Sequence, residues 1–237
     1  MNALAKTVEK DAIYDLATGG LRGLNAALQA LDEKNAEKLW TIRNPRGAHA
    51  LAVGVTVPVR ITIDGHAGYY CASMNDGALI TINGNTGTGV AENMMSGLVH
   101  VRGDASQSAG ATAHGGLLLI EGNAAARCGI SMKGANIVVK GDVGHMSAFM
   151  AQSGNLVVCG DAGEALGDSL YEARIFVKGT VKSLGADCEK KEMNAEDKEI
   201  LAALLQQAGC CEAPEMFTRY GSARGLYHFH VDNAGAY

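Results

Sequence analysis

LITINGNTGTGVAENMMSGLVHVRGDASQSAGATAHGGLLLIEG, residues 79–122, is the stretch whose reading decides the fold. LITIN, LVHVR and LLLIE are each followed by a glycine, at Gly84, Gly103 and Gly122, and these glycines stand 19 residues apart. In each stretch an aliphatic residue lies four and two places before the glycine, and a polar residue lies immediately before it. That is the period-2 alternation of a strand with one buried face. Outward in both directions the 19-residue spacing continues without a slip through Gly65, Gly141, Gly160 and Gly179, after RITID, NIVVK, NLVVC and RIFVK. Four before the seven glycines stand Ile61, Ile80, Val99, Leu118, Ile137, Leu156 and Ile175; two before them stand Ile63, Ile82, Val101, Ile120, Val139, Val158 and Val177.

Other positions keep the same spacing. Seven residues after each repeat glycine only alanine or glycine occurs, at Ala72, Ala91, Gly110, Gly129, Ala148, Gly167 and Ala186. Small pairs follow at Gly77-Ala78, Ser96-Gly97, Gly115-Gly116, Gly134-Ala135 and Ser153-Gly154, and the sixth copy breaks the pattern with Glu172-Ala173. One such coil cannot bury its own apolar strand, but stacked coils share a continuous core. Parallel strands ~4.8 Å apart would make seven coils roughly 30 Å tall. The predicted fold is mainly β, a right-handed parallel β-helix of 19-residue coils; left-handed helices follow hexapeptide rungs, and 19 is not a multiple of six. Glycine is expected at each corner for positive φ or close backbone approach.

The ends differ from the middle. Residues 12–34 carry apolar Ile13, Leu16, Leu21, Leu24, Leu28 and Leu31, and the last three, spaced i, i+4, i+7, point to an amphipathic helix after Gly19-Gly20. Trp40 to Val59 reads as one or two irregular coils. Past Gly185 the pattern stops; Asn194 reads as an N-cap, Ile200, Leu201, Leu204, Leu205 and Ala208 as one helix face, and Gly209 as the C-terminal stop. The aromatic tail FTRYGSARGLYHFHVDNAGAY is expected to dock on the solenoid or on a partner. The chain thus divides into a helical extension at 1–39, a β-helix at 40–187, and a C-terminal helix with its tail at 188–237.

Composition narrows the functional classes. Glycine makes up 31 of 237 residues, about 13% against a usual ~7%, but prolines number only three, which excludes collagen. A net charge of −5 argues against a broad nucleic-acid or anionic-membrane surface. No run of 18 apolar residues exists, and the N-terminal segment lacks the apolar run of a signal peptide, so a cytoplasmic protein is expected.

Candidate chemistry is sparse. Gly84, Gly87 and Gly89 form a GxxGxG string, but it obeys the 19-residue spacing and precedes a strand rather than opening a helix. The six cysteines, at 71, 128, 159, 188, 210 and 211, include no CxxC pair and read as free thiols serving as buried filler or surface groups. The histidines at 66, 100, 114 and 145 occupy four different offsets and do not stack; His228 and His230 share a strand face without an evident third ligand. The column His66, Asn85, Asp104, Asn123, Asp142, Asp161 and Thr180 would suit calcium, yet turn chemistry with local backbone explains it better. Methionines in the coil loops read as core filling or an adaptable contact surface.

The unit G-x₆-G/A-x₄-[GS][GA]-x-hxhxG resembles the GXGXG repeat domain at the C-terminus of the glutamate synthase large subunit, and is similar to a subunit of formylmethanofuran dehydrogenase. NPRGAHALAVG, GHAGYYCASMN, GVAENMMSG, GDASQSAGATAHGG, ARCGISMKG, GHMSAFMAQSG and GDAGEALGDSLYEA look like the free-standing GXGXG subunit of N-methylglutamate synthase (methylamine–glutamate N-methyltransferase), as does FTRYGSARGLYHFHVDNA. The resemblance implies a non-catalytic structural subunit of a complex making N-methylglutamate from methylamine and L-glutamate with release of ammonia. It implies an amidotransferase-like partner of the class II glutaminase type and an FMN-barrel synthase-like partner. FMN and an iron–sulfur cluster would reside on a partner. The chain begins Met-Asn, which offers no N-terminal cysteine nucleophile, and it has no room for a flavin barrel. No catalytic, cofactor-binding or metal-binding residue is expected on it. The alternatives are another GXGXG complex, of glutamate synthase or formyl-transfer type, and an autonomous β-helix enzyme. Three places before the repeat glycines, Leu119, Val138, Val157 and Phe176 form an outward apolar stripe, expected to be covered by the terminal segments or to face a partner.

Overall fold

A computed structural model describes residues 11–32 and 39–224. Its strands are β1 (Ala12–Asp15), β2 (Leu39–Arg43), β3 (Arg60–Ile63), β4 (Leu79–Ile82), β5 (Leu98–Val101), β6 (Leu117–Ile120), β7 (Lys133–Val139), β8 (Ser153–Val158), β9 (Arg174–Val177), β10 (Cys188–Lys191) and β11 (Thr218–Ser222). Two helices, α1 (Leu16–Gln29) and α2 (Ala195–Gln207), flank the sheet. Strands β1 to β9 pair in parallel in chain order, then β11 and β10 close the sheet antiparallel. The protein is a parallel β-solenoid of about 7 turns. The one sheet runs through both positions, 39/40 and 187/188, where composition divides the chain, because β1 pairs with β2 and β11 with β9.

The register explains the repeat. Ile61 pairs with Ile80, Ile80 with Val99, and so on to Leu156 with Ile175, so residues at equal offset stack in columns. All fourteen inward aliphatics are 1% exposed or less. A second ladder of parallel bridges links Ala67, Thr86, Ala105, Ala124, Val143, Ala162 and Val181, each two places after a repeat glycine.

The corner between these walls corrects the expectation of local turn bonding. Asp104 N–H donates to Asn85 Oδ1 (3.0 Å), Asn123 N–H to Asp104 Oδ1 (2.7 Å), Asp142 N–H to Asn123 Oδ1 (2.8 Å), and Asp161 N–H to Asp142 Oδ1 (2.7 Å). His66 Nδ1 starts the series by accepting from Asn85 N–H (2.9 Å), and Thr180 N–H ends it on Asp161 Oδ1 (2.7 Å). Each side chain therefore reaches one coil onward rather than to its own turn. It passes over the next repeat glycine, where a Cβ would collide with that oxygen and with backbone: 2.8 Å from Gly122 O at Gly141. From Gly84 onward these glycines serve close approach and not positive φ; Gly65 alone of the seven has φ +138°.

Positive φ falls elsewhere in the coil. Gly89, Ala91 and Asn93 are left-handed, as are their counterparts Tyr70, Ala72 and Met74 one coil earlier. Gly89 and Asn93 donate to Gln107 O and Ala111 O of the next coil, while Ala91 and Met95 donate to Cys71 O and Asn75 O of the preceding one. Alternate residues thus tie the coil forward and backward. The middle left-handed position points into the core: Ala72, Ala91 and Ala148 are fully buried, and a Cβ on Gly110 would lie 2.6 Å from Ile137 Cδ1. Core space explains why only alanine or glycine stands there.

Both ends are covered. Asp15 caps α1 by accepting from Ala17 N–H (2.9 Å), and the helix kinks at Gly20 (φ 69°). Leu24 and Leu28 bury against the first coil, while Asn25 Nδ2 and Gln29 Nε2 donate to Ala50 O and Val53 O, both at 2.8 Å. These bonds satisfy carbonyls at the solenoid's open end. The helix begins at Leu16, ahead of the Gly19-Gly20 pair, and Ile13 lies outside it in β1, 58% exposed. At the other end α2 begins with a capping box in which Asn194 and Asp197 each accept from the other's backbone N–H. Leu201, Leu204, Leu205 and Ala208, together with Phe217, pack over Leu119, Val138, Val157 and Phe176. The apolar stripe is therefore covered by the chain's own C-terminal segment and is not free to face a partner. His228 and His230 lie outside the described residues.

Three substitutions test these constraints. Gly141→Ala should cost about 2–3 kcal/mol in chemical denaturation through overpacking. Gly209→Ala, with φ +65° but nothing within 4 Å of the new Cβ, should cost only the left-handed backbone, about 1 kcal/mol. Val157→Asp places a carboxylate at a fully buried site under α2 and should cost several kcal/mol, with α2 becoming sensitive to limited proteolysis.

Candidate functional site

The outer face of the sheet carries the titratable chemistry. One place before the repeat glycines runs the column Glu121, Lys140, Cys159 and Lys178. Glu121 Oε1 meets His100 Nε2 at 2.8 Å, and its Oε2 meets Lys140 Nζ at 2.7 Å. Burial pushes the Glu121 carboxyl up, but the Lys140 and His100 hydrogen bonds outweigh it and hold the group below its ordinary value. The same bond to Glu121 raises Lys140.

Farther along, the end of α2 reaches this column. Gly209 takes φ +65°, Cys210 N–H returns to Leu205 O (2.9 Å), and the chain delivers residues 210–212 beside Cys159. Cys159 Sγ, Cys210 Sγ and a Glu212 carboxylate oxygen all lie within 4.8 Å of one another. Lys178 Nζ pairs with Glu212 Oε1 at 2.9 Å, which lowers the Glu212 carboxyl. Burial pushes the Cys159 thiol up to about 12 and raises Cys210 as well. From the sequence both cysteines read as buried filler or surface thiols. The available signal was Cys159 as the one thiol in a polar column, with a Cys-Cys-Glu run directly after a helix stop.

Beyond β9 a groove of about 800 Å³ is lined in part by Asn136, Asn155, Arg174, Lys191, Arg219 and Arg224. Its cations are matched: buried Asp197 lies 3.4 Å from Arg174 Nε and 3.2 Å from Arg219 Nε, and Asp187 meets Arg224 at 2.6 Å. The remaining cysteines are free thiols too; Cys71 and Cys128 are fully buried, which pushes each up to about 12. The column from Asn85 to Asp161 spends an oxygen of each side chain on backbone amides, in place of the calcium site that its composition would also suit.

The turn wall presents a different surface. Tyr69, Tyr70, Met74 and Met95 are each about half exposed, at 50%, 48%, 50% and 48%. His49 stacks on Tyr69 with ring centroids 4.5 Å apart and accepts the Tyr69 N–H on Nδ1, which places its own proton on Nε2. Tyr70 and Met74 have φ of 59° and 55°, and Met150, 41% exposed, has φ 52°. Large side chains are disfavoured in that backbone region, where asparagine, aspartate and glycine are at ease. Among the described residues no helix is long and apolar enough to cross a membrane.

Comparison with known proteins bears on this arrangement. The chain is 62% identical over 226 residues to Protein GlxC of Rhizobium meliloti (strain 1021), covering 95% of this chain and 99% of GlxC. The chain belongs to the GXGXG-repeat family. No family model matches the chain. Within this GXGXG protein the seven repeat glycines recur once per coil, and the side-chain ladder crosses those from Gly103 to Gly179.

The Glu121–Lys140 pair gives a pH signature. A lowered carboxyl contributes stability above its ordinary unfolded value, about 4.3, and loses it as pH falls through the folded value. Glu121→Gln should therefore cost less than about 1 kcal/mol at neutral pH and flatten the decline of stability below about pH 4, read by urea titrations across that range.

Proposed function

We propose that this GXGXG protein is a structural subunit of a glutamate synthase-like complex, specifically of an N-methylglutamate synthase that makes N-methylglutamate from methylamine and L-glutamate with release of ammonia. In this reading it works in the cytoplasm and holds an amidotransferase-like subunit of the class II glutaminase type and an FMN-barrel synthase-like subunit at fixed separation. FMN and an iron–sulfur cluster belong to the synthase-like partner. Amine transfer between two sites depends on fixed geometry and exclusion of water, which a stiff solenoid suits.

The observation that carries the reading is the exposed turn wall. Tyr70, Met74 and Met150 keep large apolar side chains half in solvent at left-handed backbone positions that disfavour them. Local rules are broken this way where a surface is reserved for a partner, and methionine and tyrosine suit adaptable contact. The full-length similarity to GlxC and the motif strings between the glycines support the same family of assemblies.

The test is a tagged purification of the full chain from its native host. The expected product is a yellow complex with flavin absorbance, containing a glutaminase-type chain and a flavin-barrel chain, that forms N-methylglutamate from methylamine and L-glutamate. A folded, colourless chain recovered alone would overturn the subunit reading, and formyl-transfer chains as partners would overturn the substrate reading. Tyr70→Asn and Met74→Asn should leave stability unchanged or raise it by up to about 1 kcal/mol, while lowering recovery of the partner chains.

A further inference from the structure

We propose that Cys159, Cys210 and Glu212 form a binding site for a thiophilic divalent metal ion of the zinc type. Two sulfurs and a carboxylate oxygen already lie within 4.8 Å of one another, so that side-chain rotation alone could bring them to the edges of about 3.3–3.8 Å that zinc bonds of about 2.0–2.3 Å set in a tetrahedron. Thiolates with a carboxylate select zinc over magnesium or calcium, which take oxygen alone. Three protein donors leave the fourth position to water or to a partner's side chain.

The surroundings suit a bound ion in charge and in mechanics. Binding a divalent ion releases one proton from each thiol, so two thiolates and one carboxylate around the ion leave a net charge of −1. Lys178, one coil after Cys159 and 2.9 Å from Glu212, supplies a compensating ammonium group on the same face, while Lys140, one coil before, is paired with Glu121. Glu212 is already drawn to this column by Lys178. Mechanically the site joins the end of β8 to the residues that follow Gly209, and so it fastens the C-terminal end of α2 over the apolar stripe. Metal binding of this kind is linked directly to folding free energy.

The experiment uses the full chain, reduced, freed of metal with a chelator and titrated anaerobically with cobalt(II). The expected result is uptake of one equivalent with a thiolate-to-cobalt charge-transfer band in the near ultraviolet, bleached by zinc(II), and a rise in Tm on adding zinc. Cys159→Ser and Cys210→Ser should each abolish the band, while Cys211→Ser, at the exposed neighbouring thiol, should keep it. Glu212→Gln, which leaves both sulfurs and the fold in place, should keep a weaker band that needs more metal to saturate. A wild-type chain without the band, or one whose band survives both the Cys159 and the Cys210 change, would overturn the site. So would the loss of two titratable thiols on exposure to oxidised glutathione with no metal uptake by the reduced protein, which would reassign the pair as a redox-active dithiol.

Discussion

The structure depends on one repeated bond: a side-chain oxygen that crosses a glycine to reach a backbone amide one coil away. From Asn85 to Asp161 these oxygens accept N–H bonds of 2.7–3.0 Å in an unbroken series. The bond locks the register, because slipping by one residue would face each Asn or Asp with the wrong amide and each oxygen with a side chain instead of a glycine. Once the register is locked, fourteen aliphatic side chains stack in two inward columns, and the hydrophobic effect does the rest. The glycine and the residue after it are therefore one device.

That coupling explains what was legible in the chain and what was not. The strands were legible because Ile61 to Ile175 and Ile63 to Val177 repeat without a gap, and a pattern repeated seven times averages out local ambiguity. The helix after Asn194 was legible because its cap, face and Gly209 stop are all local signals. Ladder bonding is not legible in the sequence, because the partner amide is distant along the chain and adjacent only in the stack. Positive φ at Tyr70, Met74 and Arg127 was illegible, since nothing about those residue types announces it; tertiary bonds to both neighbouring coils impose it. The apolar stripe was seen, but its cover could not be chosen, because a helix and a partner offer the same apolar face.

The outer face shows how the two ends divide labour. Toward the N-terminal coils the column three before the glycine carries the half-buried Thr62, Thr81 and His100, and among the described residues no helix lies across it. From Leu119 to Phe176 the same column turns apolar, and α2 lies across it. The polar column beside it follows suit, from the Glu121–Lys140 pair to the junction of Cys159 with Cys210 and Glu212. That junction could not be read from spacing. Its members come from a strand end and from the far side of a helix, and they meet only because Gly209 turns the chain back onto the sheet.

The proposed bracing role asks for resistance to bending, and this fold supplies it by construction. Each coil is tied forward and backward by amides from alternate residues, so no single coil can tilt without breaking bonds to both neighbours. Stiffness of that kind has a conformational cost, since it forces left-handed backbone on residues other than glycine. At the middle position the cost is reduced by choosing alanine or glycine, which the core demands anyway. At the flanking positions, where the side chain faces out, nothing in the fold requires tyrosine or methionine; asparagine would serve the backbone better. The presence of Tyr70, Met74 and Met150 there is thus unexplained by stability, and it is this surplus that the proposed subunit role accounts for. Under the proposed role, stability and assembly place opposite demands on the same residues, which makes them the positions at which the two can be separated by experiment.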